Sequence, residues 1–127
     1  MDADDGGAYL TPQLLTSVTH DMEVMREESF GPVVGVMKVS GDDEAVALMN
    51  DSRYGLTASL WTPDVERAAR VGVRVETGTV FLNRADYLDP GLCWTGVKDT
   101  GRGGGLSVIG YHNLTRPKSY HLKKVTS

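Results

Sequence analysis

Glu27 and Glu28 stand side by side in the stretch REESFGPVVG, residues 26–35, next to Phe30 and a Gly31-Pro32 turn. An ionised carboxylate only accepts hydrogen bonds, so a single glutamate can take two neighbouring hydroxyls at once and orient the molecule that carries them. On local physics alone, such a pair also reads as a solvated turn. Cys93, the single cysteine, lies between Leu92 and Trp94. A nucleophilic thiol needs a base or a helix N-terminus beside it, and the nearest histidine in sequence is His112, so the spacing favours a small packing residue. His20, His112 and His121 share no metal-ligand spacing with one another or with Cys93, which gives no metal site. Gly101 and Gly103 begin a GxGxxG pattern, but Leu106 stands where its third glycine belongs, and no P-loop lysine pattern occurs.

The chain that must position these groups has 127 residues, 40% hydrophobic and 24% charged, which fits one globular domain. Its formal charge of −4 and the absence of a basic block exclude the electrostatic footprint of a nucleic-acid binder. One cysteine cannot form an internal disulfide and suits a reducing compartment, so a cytoplasmic location is expected. The opening MDADDGG is acidic without an apolar core, and no run of 18 apolar residues occurs, so no membrane partner is expected.

Residues 9–19 mix β-branched residues with Pro12 and predict an irregular or edge segment. The nearly unbroken apolar run 33–39 predicts a strand buried on both faces. Asp42, Asp43 and Glu44 then favour the positive end of a helix whose Ala45, Leu48, Met49 and Ser52 share a face, ending near Tyr54. Residues 55–61 read as a second strand. Thr62 as cap, Pro63 at the first position and Asp64 on the dipole start a second helix with a stripe of Val65, Ala68, Gly72 and Val75 and a Glu66–Arg70 pair. Residues 79–83 form a third strand, and the β-α-β-α-β order predicts parallel strands in an α/β layer. Residues 84–105 read as a long glycine-containing loop, followed by a helix over 106–114 and a final strand over 119–125 able to pair with another chain.

REESFGPVVGVMKV, NDSRYGL at 50–56, GTVFLN at 78–83 and GVKDTG at 96–101 resemble, in order and spacing, the C-terminal part of the aldehyde dehydrogenase superfamily. The resemblance runs from about residue 9 to residue 124. It implies a three-layer α/β fold with parallel strands, here the later part of the catalytic domain over 9–117, after an acidic lead-in at 1–8 and before an oligomerisation strand and tail at 118–127. The function implied is oxidation of an aldehyde to a carboxylic acid with NAD or NADP, through a cysteine thiohemiacetal and a thioester. By the same resemblance Glu28 accepts hydrogen bonds from the ribose next to the nicotinamide, and Phe30 packs against that end of the cofactor. Tyr87, Leu88, Cys93 and Trp94 line the aldehyde entrance. Cys93 falls where proline is common, and Thr95 replaces the first glycine of the usual Gly-Gly pair, departures that bear on loop shape and substrate range.

The family's nucleophilic cysteine, amide oxyanion donor, general base and nucleotide-binding domain belong to stretches upstream of those matched here. The resemblance therefore implies no catalytic residue in this chain, an inactive isolated segment, and partners in the missing N-terminal part or in sister subunits of a homo-oligomer. The rival expectation is a non-catalytic module that binds intact relatives through its tail strand. Either way, apolar faces that normally meet the missing residues should be bare.

Overall fold

A computed structural model describes residues 9–125; the acidic lead-in expected at 1–8 lies outside the described residues, as do 126 and 127. The chain divides into two compact units, Met1–Ser52 and Arg53–Ser127.

In the first unit, β1 (Gln13–Leu15) and β2 (Val33–Gly35) pair in parallel, Gln13 opposite Val33 and Leu15 opposite Gly35, with the short helix α1 (Glu23–Arg26) between them. Pro12 sits just outside β1, where its missing N–H costs no ladder bond. Gly35 lets α1 come close: a Cβ there would stand 2.4 Å from Met25 Sδ and 3.3 Å from Val18 Cγ2, and Val18 is buried. The run at 33–39 departs from its expected double burial. The strand ends at Gly35, and exposure alternates along it, with Val34 57% and Val36 50% exposed while Val33, Met37 and Val39 are half-buried. An all-apolar strand needs a layer on each face, and the unit supplies one.

Helix α2 (Asp42–Asn50) carries its three acids in the first turn, as expected. Glu44 reaches back to accept from the Ser40 backbone N–H at 2.6 Å and hydroxyl at 2.5 Å, which fastens the helix start. These two donors, the hydroxyl foremost, hold the Glu44 carboxyl below its ordinary value. The expected stripe is displaced: Val46 is the buried residue and Met49 is exposed. The helix also ends at Asn50, four residues earlier than expected. There His20 Nε2 lies 2.9 Å from Asp51 Oδ2 and 3.2 Å from the Asp51 carbonyl, occupying groups that a further turn would use.

The second unit is built on β4 and β5. After β3 (Tyr54–Gly55), β4 (Thr57–Leu60) leads into α3 (Val65–Gly72) and then β5 (Thr79–Leu82), which lies parallel to β4 with Leu60 opposite Leu82. This is the expected strand-helix-strand unit. Asp64 caps α3 by accepting from the Arg67 N–H at 2.8 Å, while Thr62 Oγ1 accepts from the Asp64 N–H at 3.1 Å, so the cap falls two residues after Thr62. Of the expected stripe Ala68 is buried, Gly72 and Val75 are half-buried, and Val65 is exposed. Beside Val65 an apolar groove of 420 Å³ opens between α3 and the sheet, lined by Leu60, Ala69, Val73, Val80 and Leu82. The Glu66–Arg70 pair forms at 3.9 Å on the wet side, where it contributes little.

Residues 84–105 are less irregular than expected, because three two-residue strands interrupt them: β6 (Trp94–Thr95), β7 (Val97–Lys98) and β8 (Gly104–Gly105). β7 runs antiparallel to β3, and β6 antiparallel to β8. Helix α4 (Ser107–Leu114) follows where a helix is expected. The final strand does not form: residues 115–125 are exposed and carry no strand pairing. An edge strand exists only against a partner, and none of the described residues provides one.

Two substitutions probe what holds the fold. A Cβ at Gly78 would stand 1.7 Å from the Thr95 carbonyl oxygen, so Gly78→Ala should destabilise the fold by about 3 kcal/mol in urea unfolding; an unchanged midpoint contradicts the close approach. Ser40→Ala should raise the Glu44 carboxyl toward its ordinary value in an NMR titration. Because the folded value is the lower one, this fastening is complete above the unfolded value and lost as pH falls through the folded one.

Candidate functional site

Glu28 and Phe30 lie in the irregular stretch that carries the chain from α1 into β2. Its shape is set at both ends. The Glu27 N–H donates to the Glu23 carbonyl at 2.8 Å and closes α1, and the Val33 N–H donates to the Gly31 carbonyl at 2.8 Å and starts the strand. Between them the Gly31 N–H reaches the Ser29 hydroxyl at 3.3 Å. Glu28 is exposed on this turn, and the Phe30 ring is 95% exposed. A bare aromatic face beside an acceptor-only group is a surface that a flat polar ligand with vicinal hydroxyls can occupy.

In the second unit, the four expected entrance residues separate into two pairs. Tyr87 and Leu88 lie exposed on the stretch after β5, with the Arg84 guanidinium 4.0 Å over the Tyr87 ring. Cys93 and Trp94 are half-buried at β6, where Trp94 pairs with Gly105. Between the pairs the DPG segment makes a tight turn. Asp89 Oδ1 accepts from the Gly91 N–H at 2.8 Å and its carbonyl from the Leu92 N–H at 3.0 Å. The Ser107 N–H then ties the Pro90 carbonyl to the start of α4 at 2.9 Å. Thr95, the departure from the Gly-Gly pattern, donates its hydroxyl to the Gly103 carbonyl at 2.6 Å and so joins β6 to the glycine cluster.

The glycine-lysine motif closes the unit from the other side. Thr100 Oγ1 accepts from the Gly55 N–H at 2.8 Å, and Lys98 Nζ pairs with Glu76 Oε2 at 2.9 Å. Lys98 holds a left-handed φ of 57° to do so. Gly55 is obliged to be small, since a Cβ there would meet the Glu76 carbonyl at 2.6 Å. None of these roles is evident from residue type, although the motif itself marks the residues. Among the described residues no three or more His, Cys, Asp or Glu side chains gather as metal ligands, and no helix is long and apolar enough to cross a membrane.

The family model described as Aldehyde dehydrogenase family matches residues 1–120. The chain belongs to that family. It is 44% identical over 112 residues to succinate-semialdehyde dehydrogenase (NADP(+)) of Deinococcus radiodurans, covering 88% of this chain and 24% of that protein. It is 36% identical over 121 residues to chloroplastic betaine aldehyde dehydrogenase of Atriplex hortensis, covering 95% of this chain and 23% of that one. Among solved structures, it is similar to betaine aldehyde dehydrogenase of Staphylococcus aureus in complex with NAD+, with TM-score 0.79, 34% identity, and coverage of 84% of this chain and 21% of that one. The NAD+ complex of aldehyde dehydrogenase from Bacillus cereus gives TM-score 0.82 at 32% identity, covering 90% and 23%. The chain thus spans about a quarter of the length of the relatives it matches, and its α/β class is theirs.

Cys93 has a packing role that can be tested directly. A Cβ at Gly104 would stand 2.8 Å from Cys93 Sγ and 3.3 Å from Ile109 Cγ2. Gly104→Ala should cost about 1–2 kcal/mol, and adding Cys93→Ala should recover part of that loss in a double-mutant cycle. Additive effects would show that the two positions do not touch.

Proposed function

We propose that this chain is the C-terminal portion of an NAD(P)-dependent aldehyde dehydrogenase, supplying cofactor-orienting and substrate-entrance residues to a site whose bond-making groups lie in other residues. The observation that carries the reading is the exposed Glu28 and Phe30 on one short turn, in a chain similar to proteins solved with NAD+. The residues suit the group: a carboxylate can accept from both hydroxyls of a ribose, and a bare ring can pack beside a flat heterocycle. When bound, the cofactor supplies a hydride acceptor. Glu28 fixes the ribose and through it the direction of the ring, Phe30 covers the ring's edge, and Tyr87, Leu88, Cys93 and Trp94 set the aldehyde's approach.

The substrate is an aldehyde. The isolated chain is expected to be inactive, because Cys93 is packed against Gly104 and the family nucleophile belongs to an upstream motif. The exposed apolar residues Tyr120, Leu122 and Val125 of the tail favour a strand that orders against a sister subunit or an intact relative. A tail that binds intact relatives without affecting their turnover is the second reading.

The test replaces the matching segment of the Deinococcus radiodurans enzyme with this chain. The chimera should oxidise aldehyde, and Glu28→Gln should lower kcat/KM for the cofactor about tenfold to a hundredfold, the loss of one charge-assisted contact to the ribose. A chimera that turns over normally with Glu28→Gln would contradict the assignment.

A further inference from the structure

The parallel ladder of β4 and β5 ends at an unusual closure. Leu60 and Leu82 are the last paired residues, and the Asn83 N–H still donates to the Leu60 carbonyl at 2.8 Å. Asn83 then takes a left-handed φ of 53°, which turns its main chain out of the ladder. Thr62, the next residue on the β4 side with a free edge, would be left with its N–H and carbonyl unpaired just ahead of the α3 cap. The Asn83 side chain fills both positions. Its Oδ1 accepts from the Thr62 N–H at 2.9 Å, and its Nδ2 donates to the Thr62 carbonyl at 2.8 Å.

A carboxamide has the same donor and acceptor as a peptide unit, so the ladder continues for one more step through a side chain while the backbone departs. Two separate demands meet in one residue type. Asparagine is among the few non-glycine residues that tolerate the left-handed region, and its short side chain carries an acceptor and a donor on separate atoms, spaced like those of a peptide unit. Aspartate would oppose the Thr62 carbonyl with a second acceptor, and glycine would keep the backbone but lose the clamp. The next residue is fastened too, since the Ser59 hydroxyl donates to the Arg84 carbonyl. From this fixed root Arg84 lays its guanidinium on the Tyr87 ring.

We infer that Asn83 is a positioning residue for the aldehyde entrance, setting through Arg84 where Tyr87 and Leu88 stand. The link to the aldehyde rests on the function proposed above; the clamp itself does not. Hydrogen exchange of the 127-residue chain, with Asn83→Asp and Asn83→Gly beside the wild type, tests it. Both variants should exchange the Thr62 amide, whose N–H donates to the Asn83 carboxamide, at least tenfold faster. The upfield ring shift of the Arg84 side-chain protons over Tyr87 should vanish. Amides of α4, which lies in the same unit as Asn83, should keep their rates and show that this unit is still folded. Wild-type exchange in Asn83→Gly would overturn the inference, because the left-handed backbone alone would then suffice. In an active enzyme that carries this segment, the same substitutions should raise KM for the aldehyde several-fold with less change in kcat and none in KM for the cofactor. A loss of kcat alone would also overturn it. If the wild-type segment supports no aldehyde oxidation in any assembly, the proposed function fails while the exchange result still decides the clamp.

Discussion

The pairing of β4 with β5 is the interaction on which the second unit depends. Its four-residue parallel register places Ala58, Leu60, Val80 and Leu82 on one face and Phe81 on the other, where Phe81 is buried. A parallel pair requires a crossover, and α3 supplies it, capped by Asp64 and packed through Ala68 and Gly72. The ladder also extends backwards. The Gly78 N–H donates to the Gly55 carbonyl at 3.1 Å and the Thr79 N–H to the Leu56 carbonyl at 3.1 Å, so the glycine-threonine start of β5 sets how closely β3, and through it β7, can approach. The expected entrance residues Tyr87 and Leu88 leave from the far end of the same ladder.

Local signals made much of this legible in advance. β4, α3, β5 and α4 each carry complete cues within their own residues: an apolar run between turns, a proline and an acid at a helix start, a glycine at the close. The stretch 94–105 has no such cue, because two-residue strands have no periodicity and form only when β3 or a neighbouring glycine segment lies alongside. Val33 to Val39 misled for a related reason. Its composition suits a strand covered on both faces, whereas the first unit covers one. Met49 has the spacing of the inner face of α2, but the position that meets the unit's interior is Val46.

The candidate site divides along the same line. Glu28, Phe30 and the entrance residues are proposed from ordered motifs. Asn83, Thr100 and Lys98 act through partners twenty or more residues away, and the Gly78–Thr95 approach is nearly as distant. No spacing rule announces such contacts. The left-handed φ values at Asn83 and Lys98 become meaningful only when the hydrogen bonds and ion pair that hold them are seen.

Bare apolar surface unites the fold with the function. Val34 and Val36 on β2, the groove beside α3, and Tyr120, Leu122 and Val125 in the tail are all exposed, more than a chain of this size sustains alone in water. Such faces are what a segment shows when its covering layers come from other residues, in the same polypeptide or in a neighbour. The most direct measurement is the solution mass of the purified chain by light scattering across a concentration range. Association that grows with concentration, well above the 13.7 kDa of one chain, is the predicted result. A monodisperse 13.7 kDa monomer that unfolds cooperatively would contradict it, because the exposed faces would then need no cover.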